Sequence, residues 1–153
     1  LSDDEGKTGE RILGVDYGAR RVGLAVSDPL LLTAQGLDVV KNEGPRKIAE
    51  EISARAKETG ARQIVVGLPR NMNGSLGKGA MVVMEFAERL RRASGLEVVL
   101  WDERLSTARA EREMLDADLS RARRAKVRDK VAAQLVLQNY LDYLRTERGQ
   151  TQR

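Results

Sequence analysis

The chain alternates between runs in which every second residue is apolar and runs in which apolar residues recur every three or four positions. The first kind appears at Arg11 to Tyr17 (Arg-Ile-Leu-Gly-Val-Asp-Tyr), at Arg21 to Ser27 (Arg-Val-Gly-Leu-Ala-Val-Ser) and at Leu37 to Val40. These predict three short strands, the first two joined as a hairpin through Gly18-Ala19-Arg20. Ile48, Ala49, Ile52 and Ala56 then repeat at helical spacing, with Pro45 at the start and Gly60 as the stop, so a helix is predicted over Pro45 to Thr59. Gln63 to Gly67 is a compact apolar run that leads into a loop rich in Asn and Gly, Arg70 to Gly79. Val83, Phe86, Ala87 and Leu90 mark a second helix over Ala80 to Ala93, followed by a strand at Glu97 to Trp101.

Two further helices complete the pattern. One is capped by Ser106 or Thr107 and runs to about Asp116, and a long one covers Val127 to Leu144. Three strands followed by alternating helix and strand imply an α/β fold: a mixed five-stranded sheet with helices on both faces. One domain is expected over residues 11–145, with a disordered leader at 1–10 and a disordered tail at 146–153. A length of 153 residues suits a single core of this kind.

Composition narrows the chemistry. There is no histidine, which excludes a Ser-His-Asp triad, the usual zinc sites and any imidazole base. There is no cysteine either, so disulfides and thiolate metal ligands are excluded, in keeping with an expected cytoplasmic location. An enzyme built from this sequence must rely on carboxylates. No apolar run approaches the roughly 18 to 20 residues that cross a bilayer, and no membrane partner is expected. The net charge of +4 is too small to announce a polyanionic partner by itself; its distribution matters more.

Asp16 follows Ile12, Leu13 and Val15 and shares a strand face with Ile12 and Gly14. A carboxylate there needs a cation or hydrogen-bond donors, although an aspartate that shapes the turn at Gly18 fits the same place. Asp102 and Glu103 stand at the carboxyl end of a strand, where open α/β sheets bind ligands. Neighbours on a strand face opposite ways, so only one of the two can share a pocket with Asp16, and the residues alone leave that choice open. Asp129 aligns with Ala132, Ala133, Val136 and Tyr140 on the apolar face of the last helix, and the small alanines allow that helix to approach the sheet closely. A favourable charge at a helix N-terminus is the simpler account of Asp129.

Arg121, Arg123, Arg124, Lys126, Arg128 and Lys130 surround the single acid Asp129, the steepest charge bias in the chain. Such a segment suits nucleic-acid phosphates, and equally a solvated helix connection. Aromatic residues are 3% of the chain, so recognition should favour backbone and shape over base stacking. The loop containing Asn71, Asn73, Gly74, Gly77 and Gly79 offers backbone amides to phosphate oxygens, but Gly77-Lys78-Gly79 lacks the spacing of a Walker-type ATP site.

The stretches Gly14-Val-Asp-Tyr-Gly-Ala-Arg-Arg-Val-Gly-Leu-Ala-Val-Ser-Asp28, Gly67-Leu-Pro-Arg-Asn-Met-Asn-Gly74 and Asp102-Glu-Arg-Leu-Ser-Thr107 together resemble the bacterial YqgF/RuvX family, over about Arg11 to Leu144. Lys126-Val-Arg-Asp-Lys-Val-Ala-Ala resembles that family's closing motif, with Lys130 standing where a small residue is more familiar. The resemblance implies a ribonuclease H-like fold and an acidic triad of Asp16, Glu103 and Asp129, selecting Glu103 over Asp102. Family proteins are described both as Holliday junction resolvases and as nucleases that mature pre-16S ribosomal RNA.

The expectation is therefore a metal-dependent nuclease in which these three carboxylates hold Mg²⁺ or Mn²⁺, two ions in all, against a phosphodiester. Arg20, Arg21, Asn71, Arg104 and the basic segment from Arg121 to Lys130 would contact the nucleic acid. The favoured substrate is structured RNA, with maturation of the 5′ end of pre-16S ribosomal RNA ahead of four-way DNA junctions, acted on by a monomer or homodimer. Two other classes compete: a non-catalytic RNA-binding module, and an ATP-binding domain of the actin, Hsp70 and sugar kinase type, whose phosphate loop resembles Gly14 to Gly18.

Overall fold

The computed structural model describes residues 11–71, 73–103 and 121–151, with backbone alone for 121–130 and 148–151. Five strands, β1 (Arg11–Tyr17), β2 (Arg21–Ser27), β3 (Ala34–Lys41), β4 (Ala61–Leu68) and β5 (Glu97–Asp102), form one sheet in the order β3-β2-β1-β4-β5. The β1–β2 and β2–β3 pairs are antiparallel, while β1–β4 and β4–β5 are parallel. Helices α1 (Pro45–Thr59) and α2 (Lys78–Ser94) supply the crossovers, and α3 (Arg121–Thr151) closes the chain.

The period-2 pattern of β1 sorts its side chains between two cores. Leu13 and Val15 join Val22, Leu24, Ile64 and Val66 in a cluster covered by Ile48 and Ile52 of α1 and by Phe86 and Leu90 of α2. Ile12 joins Ala25, Val65, Ala133, Val136, Leu137, Tyr140 and Leu141 on the other face, under α3. Helices thus cover both faces, and every strand that is buried on both sides reads as a nearly continuous apolar run.

Pro45 and Gly60 bound α1 as expected, Gly60 in the left-handed conformation (φ 74°) that closes a helix without Cβ strain. Two elements, β3 and α3, extend well beyond their expected ends. β3 begins at Ala34 rather than Leu37, because pairing of Ser27 with Ala34 continues the ladder and the Gln138 and Gln134 side chains satisfy the Ala34 amide and carbonyl across to α3. The last helix starts at Arg121 and runs to Thr151, so residues 146–151, expected as part of a tail, are helical. Its final turns carry no apolar stripe to betray them; they hold together through local contacts such as the Arg145–Asp142 pair and the Thr146 hydroxyl on the Asp142 carbonyl. The expected leader at 1–10 and the helix expected from Ser106 or Thr107 lie outside the described residues.

Candidate active site

Asp16 sits one residue before the end of β1, on the α3 face, and its neighbours on both sides are glycines. Across the antiparallel pair it faces Gly23 of β2. On the parallel side, Val15 pairs with Val66, so the next rung sets Asp16 beside Gly67 of β4. Two missing side chains leave space around one carboxylate at the carboxyl ends of the central strands.

Glu103 fills part of that space. A Cβ built on Gly67 would stand 2.6 Å from Glu103 Oε1 and 3.2 Å from its Cδ, so the carboxylate lies directly over the glycine. Gly67 pairs with Trp101 of β5, and two residues beyond Trp101 alternation returns the chain to the same face. Glu103, rather than Asp102, therefore stands on the sheet face of Asp16. Asp102 pairs with Leu68, which belongs to the opposite core, and its Oδ2 lies 3.7 Å from Arg70 Nε. It is directed to the loop after β4 rather than to Asp16.

The third expected carboxylate is placed only by its backbone. A Cβ on Gly14 would meet Leu137 Cβ at 2.7 Å and the Ala133 carbonyl oxygen at 3.2 Å, so α3 lies against β1 at a distance that only glycine permits. Ile12 lines a small cavity with Tyr140 and Leu144, while Gly14 meets Ala133 and Leu137, so α3 runs back along β1. Two strand residues advance about 6.6 Å, a little over four helical residues at about 1.5 Å each. The backbone of α3 level with Asp16 is therefore that of about residues 129 to 133. The side chain of Asp129 lies outside the described residues, and among the described residues no group of three acidic side chains gathers as a metal cluster.

The basic residues divide. Arg21 opens β2 on the same face as Gly23, two residues further from the sheet centre, and so stands on the Asp16 side of the sheet. Arg20 is exposed in the hairpin turn, where its carbonyl accepts the Asn42 amide at 2.8 Å. Asn71 is engaged in building its own loop: its Nδ2 donates to Ser75 Oγ at 2.9 Å and its amide to the Ser75 carbonyl at 3.0 Å. Arg104 is outside the described residues. Arg121, Arg123, Arg124, Lys126, Arg128 and Lys130 occupy the first turns of α3, with backbone alone described. Residues that sequence reasoning passed over are Gly23 and Gly67, whose only signal was a glycine inside a strand, a mark of close approach.

A hard divalent cation suits this surroundings: the donors are carboxylate oxygens, and the space over Gly67 exists only because no Cβ fills it.

Comparison with known proteins adds a second line. The family model described as "RuvX: Holliday junction resolvase" matches residues 10–143. A Desulfitobacterium hafniense protein named "Putative pre-16S rRNA nuclease" is 49% identical over 140 residues, covering 92% of this chain and 97% of its own length. A Pelotomaculum thermopropionicum protein of the same name is 52% identical over 133 residues, 86% of each chain. Among solved structures, Thermus thermophilus RuvC bound to a Holliday junction aligns with a TM-score of 0.52 at 18% identity, over 87% of this chain and 95% of that one. The fowlpox virus resolvase bound to Holliday junction DNA aligns with a TM-score of 0.50 at 12% identity, over 88% and 98%. The solved structures establish a ribonuclease H-like fold.

Proposed function

The chain belongs to the RuvX family, and from that premise we propose that it is a metal-dependent nuclease that hydrolyses phosphodiesters in structured nucleic acid, acting in maturation of the 5′ end of pre-16S ribosomal RNA. The observation that carries this reading is the Glu103 carboxylate seated over Gly67, on the same sheet face as Asp16.

Asp16 and Glu103 would hold the divalent ions, and Asp129, near the start of α3, would complete the set. Bound there, two Mg²⁺ or Mn²⁺ ions supply activation of a water nucleophile and neutralisation of charge on the phosphate. Arg21 and Arg20, at the hairpin end of β2, oppose the backbone phosphates from one side. The Arg121 to Lys130 segment does so from the other, and the contact is read as shape and charge rather than as sequence. Without histidine, carboxylates and bound ions must provide for both the attacking water and the leaving oxygen.

The test is cleavage of a ribosomal precursor RNA, an unstructured RNA and a four-way DNA junction, with Mg²⁺ or Mn²⁺ and with chelator, beside an Asp16→Asn control. Metal-dependent cutting of the precursor RNA that the control lacks is the expected result; cutting that persists in Asp16→Asn overturns the site. The description of the family model favours a second reading, resolution of four-way junctions, which predicts paired cuts and a dimer on the junction. Binding that survives chelator with no cutting of any substrate would favour a non-catalytic RNA-binding module.

A further inference from the structure

We infer that Gly67 is a positioning residue for the reaction: its missing side chain sets where the Glu103 carboxylate sits relative to Asp16, and so the spacing of the two groups that hold the metal. The inference rests on the nuclease reading above. Three observations meet at this residue. Gly67 is buried in a central strand between Leu68 and the apolar run Ile64, Val65 and Val66, where a β-branched residue would suit the ladder better. It pairs with Trp101 on one side, and on the other it follows Val66, the partner of Val15, so the next rung brings it beside Asp16. An added Cβ would have Glu103 Oε1 at 2.6 Å and Glu103 Cδ and Cγ at 3.2 Å each as its three nearest atoms.

The identity of the obstructing atoms separates this glycine from Gly14. At Gly14 a methyl group meets a Cβ and a backbone carbonyl of α3, atoms that move only if the helix moves. At Gly67 it meets the flexible end of one glutamate, which can swing aside by rotation about its own side-chain bonds. A methyl at residue 67 therefore displaces the carboxylate and leaves the fold in place. Displacements near 1 Å at a reacting centre cost on the order of 10²-fold in rate.

The experiment is a double-mutant cycle of Gly67→Ala and Glu103→Asp, read by steady-state cleavage, by Mn²⁺ binding measured calorimetrically without nucleic acid, and by thermal unfolding. Gly67→Ala is expected to lower kcat by about 10²-fold with KM little changed, to weaken Mn²⁺ binding, and to unfold near the wild-type temperature. Aspartate is one methylene shorter and withdraws from the added methyl. Glu103→Asp should therefore reduce cleavage and Mn²⁺ affinity in the wild-type background and restore part of both in the Gly67→Ala background. That reversal of sign is the signature of a shared space; a glycine needed only for packing would lower the unfolding temperature and show no rescue.

Gly67→Ala with wild-type Mn²⁺ affinity and kcat, or Glu103→Asp with the same effect in both backgrounds, overturns the inference. Absence of cleavage by the wild-type protein on any substrate would fail the nuclease reading separately, and the Mn²⁺ titrations would still decide whether Gly67 spaces the carboxylates.

Discussion

Replacing Gly14 by alanine places a methyl carbon 2.7 Å from Leu137 Cβ and 3.2 Å from the Ala133 carbonyl oxygen. Carbon atoms prefer separations of about 3.5 to 4.0 Å, so the first contact is roughly 1 Å too short. Neither obstructing atom belongs to a side-chain tip. Leu137→Ala would leave the offending Cβ in place, and the carbonyl is committed to the helix, so α3 must lift from the sheet as a body. Overpacking of this kind typically costs about 1 to 3 kcal/mol. In a domain of this size each kcal/mol corresponds to about 2 to 4 °C in Tm, so a fall of roughly 2 to 12 °C is expected. Lifting α3 also withdraws the backbone at residue 129 from the level of Asp16, so cleavage should fall further than the lost stability explains. Unfolding followed by calorimetry and by the fluorescence of the single tryptophan, with cleavage measured well below Tm, checks both parts. A Gly14→Ala protein with unchanged Tm and full activity would refute the argument that glycine at this position sets the distance between helix and sheet.

The two adjacent acids at the end of β5 should separate cleanly: Glu103→Gln is expected to lose 10²-fold or more in cleavage, and Asp102→Asn to stay within about tenfold. Comparable losses in both would contradict the assignment of Asp102 to Arg70. Asp28 gives a pH dependence far from the site. Partial burial pushes its pKa up, but the amides of Thr33 (2.8 Å), Leu32 (2.7 Å) and Leu30 (3.1 Å) outweigh this and hold it below its ordinary value. A depressed folded pKa gives a contribution that is present above the unfolded pKa of about 3.9 and is lost as pH falls through the folded one. Asp28→Asn should therefore lower the urea midpoint at pH 7, and the gap to wild type should shrink below about pH 4; a gap independent of pH would remove the charge from the account.

Both cores were legible before the structure because each strand and helix announces its period locally. Leu13 and Val15 alternate with Ile12 and Gly14, and Ile48, Ala49, Ile52 and Ala56 mark one face of α1. Asp16 was legible for the same reason, as a carboxylate at the end of an apolar run. The ends of elements were less so: the start of β3 depends on Gln134 and Gln138 from the far end of the chain, and the last turns of α3 on polar pairs that leave no apolar period.

The sequence by itself determined the periods, the absence of histidine and cysteine, and hence that any catalysis must rest on carboxylates. It could not choose between Asp102 and Glu103, because adjacent strand residues differ only in face, and a face has meaning only once the sheet has an inside and an outside. It gave no role to Gly67, because a missing side chain matters only through what enters its space. Only the tertiary structure supplies those faces: Val15 pairs with Val66 and Gly67 with Trp101, so the next rung brings Asp16 beside Gly67, and Glu103 lies over that glycine. Local periodicity is written in each segment, whereas the distance between two carboxylates belongs to no segment and arises from the register of the strands that carry them.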